Sequence, residues 1–87
     1  MAWKVRISPA AEKDIARLDR PVQKKITAFL HELEASDNPR LLMLPYTGPL
    51  AGFWKKRLGD YRLVFDIQDG ALTVLVVKAG HRSKIYR

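Results

Sequence analysis

The pair Gly59-Asp60, set between two alternating segments, constrains this chain more than any other feature. A glycine-first pair suits a two-residue type II′ loop, whose twist matches that of the strands it joins. Such a loop fixes register at once, with Leu58 opposite Tyr61 and Arg57 opposite Arg62. Strand alternation then places Lys55 on the same face as Arg57. Like charges directly opposite one another destabilise a sheet. A face that gathers Lys55, Arg57 and Arg62 therefore implies an anion to sit there, and phosphate is the simplest one.

The rest of the chain supplies the frame for that hairpin. Trp3, Val5 and Ile7 alternate with Lys4 and Arg6, the pattern of a half-buried strand. Ser8-Pro9 opens a helix: Ser8 suits the cap, Pro9 the first helical position, and Glu12 and Asp14 the positive end of the dipole. Its apolar stripe is Ala11, Ile15 and Leu18. Asp19-Arg20-Pro21 breaks the chain and caps a longer helix with the stripe Val22, Ile26, Phe29, Leu30 and Leu33. The short link predicts a helix hairpin. Ser36-Asp37-Asn38-Pro39 ends the second helix, and residues 39–52, with three prolines and two glycines, read as an irregular connector. Leu41, Leu42 and Leu44 within it are expected to tuck against the helices. Beyond Phe53 the pattern is strand throughout, with Asp69-Gly70 as a second turn and Leu72 to Lys78 as an apolar inner strand.

The expected fold is α+β in two layers, in the order β-α-α-β-β-β, with a mostly antiparallel sheet and a helix hairpin on one face. Leu58, Tyr61, Trp54, Phe65 and Leu63 should face the helices, leaving Lys55, Arg57 and Arg62 on the open face. A β-bulge would reverse part of that parity. At 87 residues the expectation is a single domain over 1–87.

Composition narrows function. Cysteine is absent, so disulfides and thiolate metal sites are excluded. The longest apolar run, Val74 to Val77, is too short to cross a bilayer, and the alternating N-terminus does not read as a signal peptide. A soluble cytoplasmic protein with no membrane partner is the expectation. The net charge is +7, and it is uneven. Residues 1–52 hold eight Lys/Arg and six Asp/Glu, a balance of +2; residues 53–87 hold eight against three, a balance of +5. That excess around the hairpin points to a polyanionic partner.

Glycine-rich phosphate loops, HExxH and CxxC pairs are missing, and His31 and His81 lie apart from carboxylate clusters, so no metal site and no cofactor are expected. What remains is a phosphate site made of cations. RNA carries its own nucleophile, the 2′-hydroxyl beside the scissile phosphate. An enzyme must then supply a base for that hydroxyl, positive charge for the non-bridging oxygens and an acid for the leaving 5′ oxygen. Lysine becomes a base when neighbouring cations crowd it, which is the situation of Lys55 beside Arg57 and Arg62. Arginine adds bidentate phosphate contacts, and Tyr86 could stack on an unpaired base. The alternatives are plainer: Lys55 as a solvated strand lysine, Arg62 paired with Asp66 on its own face, Tyr86 as an anchor for the tail, and His81 as a turn residue.

The run Trp54-Lys55-Lys56-Arg57-Leu58-Gly59-Asp60-Tyr61-Arg62, followed by Gly80-His81-Arg82 and Tyr86, resembles the RelE toxins of bacteria and archaea. The likeness extends to Ser8-Pro9-Ala10-Ala11-Glu12-Lys13-Asp14-Ile15 and to Pro49-Leu50-Ala51-Gly52, so it covers nearly the whole chain. It implies a ribosome-dependent mRNA interferase that cuts in the A site without metal and is blocked by a cognate antitoxin in a hetero-oligomeric complex. By the same resemblance, Lys55 matches a catalytic lysine, Arg62 the phosphate-stabilising arginine, Arg82 an arginine at the leaving group and Tyr86 the base-stacking tyrosine. His81 is a second candidate for acid–base work. Lys56, Arg57, Lys84 and Arg87 are the further cations expected to touch RNA or ribosome, although Lys56 should point to the opposite face. One departure stands out: the lysine that some members carry two residues before Lys55 is here Phe53. Other readings of the same residues are a ParE-like toxin aimed at gyrase, a non-catalytic RNA-binding or degenerate toxin module, and a basic ribosome-associated protein.

Overall fold

A computed structural model describes residues 3–81. The sheet has five strands: β1 (Lys4–Ile7), β2 (Leu44–Pro45), β3 (Trp54–Leu58), β4 (Tyr61–Gln68) and β5 (Thr73–His81), in the order β1-β5-β4-β3-β2. Only β1 and β5 pair in parallel; the others are antiparallel. Helices α1 (Pro9–Ala16) and α2 (Arg20–Ala35) follow β1 directly and lie together on one face. The architecture is thus α+β, with a two-residue strand β2 inside the segment expected to be an irregular connector. None of the helices among the described residues is long and apolar enough to cross a membrane.

Local chemistry explains where each element begins. Ser8 caps α1: its Oγ accepts from the Ala11 N–H at 3.1 Å and donates to the Val77 carbonyl at 3.2 Å. Its own N–H donates to the Val76 carbonyl at 2.9 Å, so one residue ends β1, starts α1 and ties both to β5. Asp19 stands at the start of α2 with extended backbone but no side-chain capping bond. The link is closed instead by Gln23, whose Nε2 donates to the Ile15 carbonyl at 2.8 Å. That carbonyl, at the end of α1, also accepts from the Leu18 N–H at 3.0 Å. Asp14 differs from its expected role at the helix dipole. It lies beyond the first turn, and its Oδ2 accepts from the Ala79 N–H at 3.1 Å. The last β1–β5 pair is Ile7 with Val76, so Asp14 serves the β5 backbone just past the point where its partner strand stops.

The core lies between the helices and the sheet: Ala11, Ile26, Phe29 and Leu33 meet Leu63, Phe65, Val74, Val76 and Ala79. Phe29 and Phe65 pack with ring centroids 5.9 Å apart at 60°. Truncating either to Ala would cost about 3–5 kcal/mol. Val76 and Ala79 are three residues apart yet share this core. A bulge makes that possible: Val64 pairs with Lys78 but Phe65 pairs with Val76, leaving Val77 as the extra residue. Val77 joins a smaller cluster on the opposite face with Tyr46, Val64, Leu50 and Phe53. The bulge is on β5, so the parity expected for the β3–β4 hairpin holds.

The connector leucines overturn one expectation. Leu42 packs half-buried on the core, but Leu41 is 81% exposed and Leu44 is 65% exposed. Residues Pro39–Leu42 form a 3₁₀ turn, in which positions three apart share a side. Pro39 and Leu42 take the inward side and Leu41 is turned out. Leu44 pairs with Lys55 across β2–β3 and so shares the open face of the sheet. Besides Pro39, the buried connector side chains are Met43 and Tyr46, at 5% and 6% exposure. The second turn is a 3₁₀ segment, Asp69–Ala71, closed by Leu72 at a left-handed φ of 47°. It is pinned to the Pro39–Leu42 turn by Arg40, whose two terminal nitrogens each donate to Asp69 at 2.7 Å while its guanidinium lies 5.5 Å from the Trp54 ring centroid.

Candidate nucleic-acid interface

The hairpin has the register that its turn dictates. Leu58 lies opposite Tyr61, Arg57 opposite Arg62, and Lys55 opposite Val64. Gly59 takes φ 62°, a left-handed value that glycine adopts without steric cost. Lys55, Arg57 and Arg62 therefore share the sheet face that the helices leave open. They line a cleft of about 330 Å³ together with Leu41, Leu42, Met43, Leu44 and Lys56. One wall of the cleft is apolar and the other cationic, a combination suited to a phosphodiester and the ring system attached to it.

Lys56 does not join the open-face set. Its Nζ lies 4.9 Å from the centroid of the Phe29 ring, on the helix side, as alternation requires. Asp66 shares the parity of Arg62 on β4. It lies four residues along β4, about 13 Å away at strand spacing, and it accepts from Gln68 Nε2 at 3.2 Å.

Tyr46 is the site residue that sequence reasoning missed. It follows β2 and sits on the small open-face cluster with Val64. Lys55 Nζ lies 5.1 Å from its ring centroid. Its hydroxyl is buried, as are Nε and Nη1 of Arg62, and the Arg62 charge lies near enough to act on the phenol. Burial pushes the Tyr46 phenol above its usual range, and the charge of Arg62 opposes that shift. The only sequence signal was a ring placed between Pro45 and Gly48-Pro49, which reads as a turn until β2 is recognised.

His81 is kept apart from these groups. It pairs with Tyr61, with ring centroids 5.6 Å apart and nearly perpendicular. Tyr61 has the parity of Leu63 and Phe65, so His81 stands on the helix side of the sheet, by a depression that Asp14, Arg17 and Leu18 also line. Arg82, Tyr86, Lys84 and Arg87 lie outside the described residues. Among the described residues no three His, Asp or Glu side chains come together as a metal would require.

With a helix pair on one face of a mixed sheet and a cationic cluster on the other, this chain matches the toxins of type II toxin–antitoxin systems. The family model for the ParE toxin of such systems matches residues 5–86, and the chain belongs to this RelE/ParE family. Toxin RelG of Mycobacterium tuberculosis is 31% identical over 87 residues, covering 100% of this chain and 99% of that protein. Toxin RelE of the same organism is 32% identical over 85 residues, covering 98% and 87%. Among solved structures, the toxin–antitoxin complex RelBE2 from Mycobacterium tuberculosis superposes with a TM-score of 0.80 at 29% identity, covering 94% of this chain and 93% of that one. The isolated E. coli RelE toxin shares the fold, with a TM-score of 0.73 at 24% identity and coverage of 98% and 92%.

Proposed function

We propose that this chain is a ribosome-dependent endoribonuclease that cuts messenger RNA in the A site without metal, using the RNA's own 2′-hydroxyl. The observation that carries the reading is the open cationic face, where Lys55, Arg57 and Arg62 stand around one cleft. Lys55 takes the proton of the 2′-hydroxyl, whose oxygen attacks the adjacent phosphorus. Arg62 neutralises the non-bridging oxygens as charge builds on them. The bond from phosphorus to the 5′ oxygen breaks, that oxygen takes a proton, and a 2′,3′-cyclic phosphate and a 5′-hydroxyl remain. The resemblance alone assigns the leaving-group role to Arg82 and base stacking to Tyr86. His81 faces the other side of the sheet, which favours Lys55 as the base.

Several of the similar structures are complexes of RelE with RelB. By the same reading this chain has a cognate antitoxin, acidic in part, that covers the cationic face in a hetero-oligomeric complex.

A second reading follows from the family description, which names ParE: a toxin aimed at gyrase, with the cationic face as a binding surface. Primer extension on an mRNA held in translating ribosomes separates the two. Cuts at A-site codons by the wild type, none by Arg62→Ala, and none on free RNA are the expected result. A folded, growth-inhibiting protein that cuts nothing and blocks supercoiling by gyrase would establish the second reading instead. A non-catalytic binder would lose ribosome affinity in Lys55→Ala in step with charge, whereas an enzyme loses turnover with binding largely kept.

A further inference from the structure

A single exposed leucine needs no explanation, but exposed leucines gathered at one cleft do. Leu41 and Leu44 are the two most exposed large hydrophobic residues among those described, at 81% and 65%, and both line the cationic cleft. Leu44 is paired with Lys55 across β2–β3, and paired residues project from one face about 5 Å apart. Arg57 stands farther along β3, and Arg62 lies opposite it on β4. Across the open face the order is therefore apolar on β2, the lysine on β3 and the arginine on β4. A nucleotide has the same order. Its base, its 2′-hydroxyl and its 3′-phosphate stand on three successive carbons of the ribose. The cleft, at about 330 Å³, has the volume of a small-molecule site, whereas a helix with its side chains is about 10–12 Å across.

We propose that Leu41 and Leu44 form the subsite for the base of the nucleotide that carries the attacking 2′-hydroxyl. The inference rests on the endoribonuclease reading for the role of that hydroxyl, and it adds the residues that seat the base. With the base on Leu44, the 2′-hydroxyl falls to Lys55 and the 3′-phosphate to Arg62, so that binding the base orients the reacting groups. Leucine side chains offer dispersion contact and no hydrogen bond. By this contact the subsite reads ring area and not base edge, and it favours purines over pyrimidines at the position before the cut.

Two measurements test this. The first is single-turnover cleavage on programmed ribosomes by wild type and Leu44→Ala. Each acts on an mRNA with adenine before the mapped cut and on one with an abasic ribonucleotide there, which keeps the 2′-hydroxyl. Leu44→Ala should slow cleavage of the adenine substrate by about fivefold to fiftyfold, with the thermal midpoint unchanged because the side chain faces solvent. On the abasic substrate the contact is already gone, so the variant should cut within about twofold of the wild type. Equal losses on both substrates would overturn the proposal. So would a wild-type rate in Leu44→Ala, and weaker antitoxin binding by that variant would then assign the leucines to the protein partner. The second measurement does not depend on cleavage. The free toxin is titrated in NMR with the dinucleoside monophosphate 2′-deoxyadenylyl-(3′→5′)-adenosine, which lacks the nucleophile. Nuclear Overhauser contacts from the methyls of Leu41 and Leu44 to the 5′ adenine are expected. A probe that binds without them, or fails to bind at millimolar concentration, would overturn the proposal. Those contacts in a protein that cuts no RNA would leave the base subsite standing and count against the endoribonuclease reading alone.

Discussion

At Arg62 the side chain's geometry matters as much as its charge. A guanidinium presents two donors to a phosphate in a fixed fork, and an ammonium cannot make both contacts in fixed directions. Arg62→Lys should therefore keep the charge of the cleft but slow single-turnover cleavage by about tenfold to a hundredfold, the worth of one charge-assisted hydrogen bond. Near-normal ribosome binding, with the thermal midpoint followed in parallel, would attribute the loss to the reaction step. His81 offers the opposite expectation. It is stacked edge-on to Tyr61 across the sheet from the cleft, so His81→Ala should leave the cleavage rate within about threefold. General acid or base catalysis contributes about 10²–10⁴, and a loss of that size would move the proton-transfer role to His81.

Among the elements, the hairpin was legible from sequence and the connector was not, for physical reasons. A two-residue loop leaves no freedom of register, so the placement of Lys55, Arg57 and Arg62 on one face followed from counting residues. A strand of two residues, Leu44–Pro45, has no period to detect, and its pairing with β3 decided both the exposure of Leu44 and the burial of Tyr46. The bulge at Val77 was equally silent, because nothing in an apolar run such as Val74 to Val77 marks the extra residue. Tertiary contacts replaced local expectation at Asp14, which serves Ala79 and not its own helix. Asp14→Ala should cost about 1–3 kcal/mol by stranding that N–H, read by urea unfolding; an unchanged midpoint would mean that water replaces the carboxylate. The clamp between the two 3₁₀ turns makes a pH prediction. The hydrogen bond from Arg40 holds the Asp69 carboxyl below its usual range. A carboxyl lowered on folding stabilises above its unfolded value, near 3.9, and that contribution fades as pH falls through the folded value. Wild type should lose thermal stability faster than Asp69→Asn in this acid window, and the two should run in parallel from pH 6 to 8. Because both groups face solvent, the difference should be small and should shrink in salt.

For the whole molecule, the charge divides as the layers do. The segment that contains the hairpin and β5 carries a balance of +5 out of +7, and its open face is the one the helices leave uncovered. Binding to a ribosome through that face should release counterions from the RNA, so log affinity should fall linearly with log salt. Arg57 is the cation best suited to test this term by itself. It shares the cleft with Lys55 and Arg62 but lies at the turn end of β3, where its Nε reaches back to the Gly59 carbonyl at 3.4 Å, a weak bond that a phosphate could displace. If Arg57 makes one phosphate contact, Arg57→Ala should reduce the salt slope of ribosome binding by about one, with cleavage by the bound toxin close to wild type. An unchanged slope with a large fall in single-turnover rate would place Arg57 at the reacting phosphate beside Arg62. The excess charge of this half of the chain would then serve catalysis more than attraction to the ribosome.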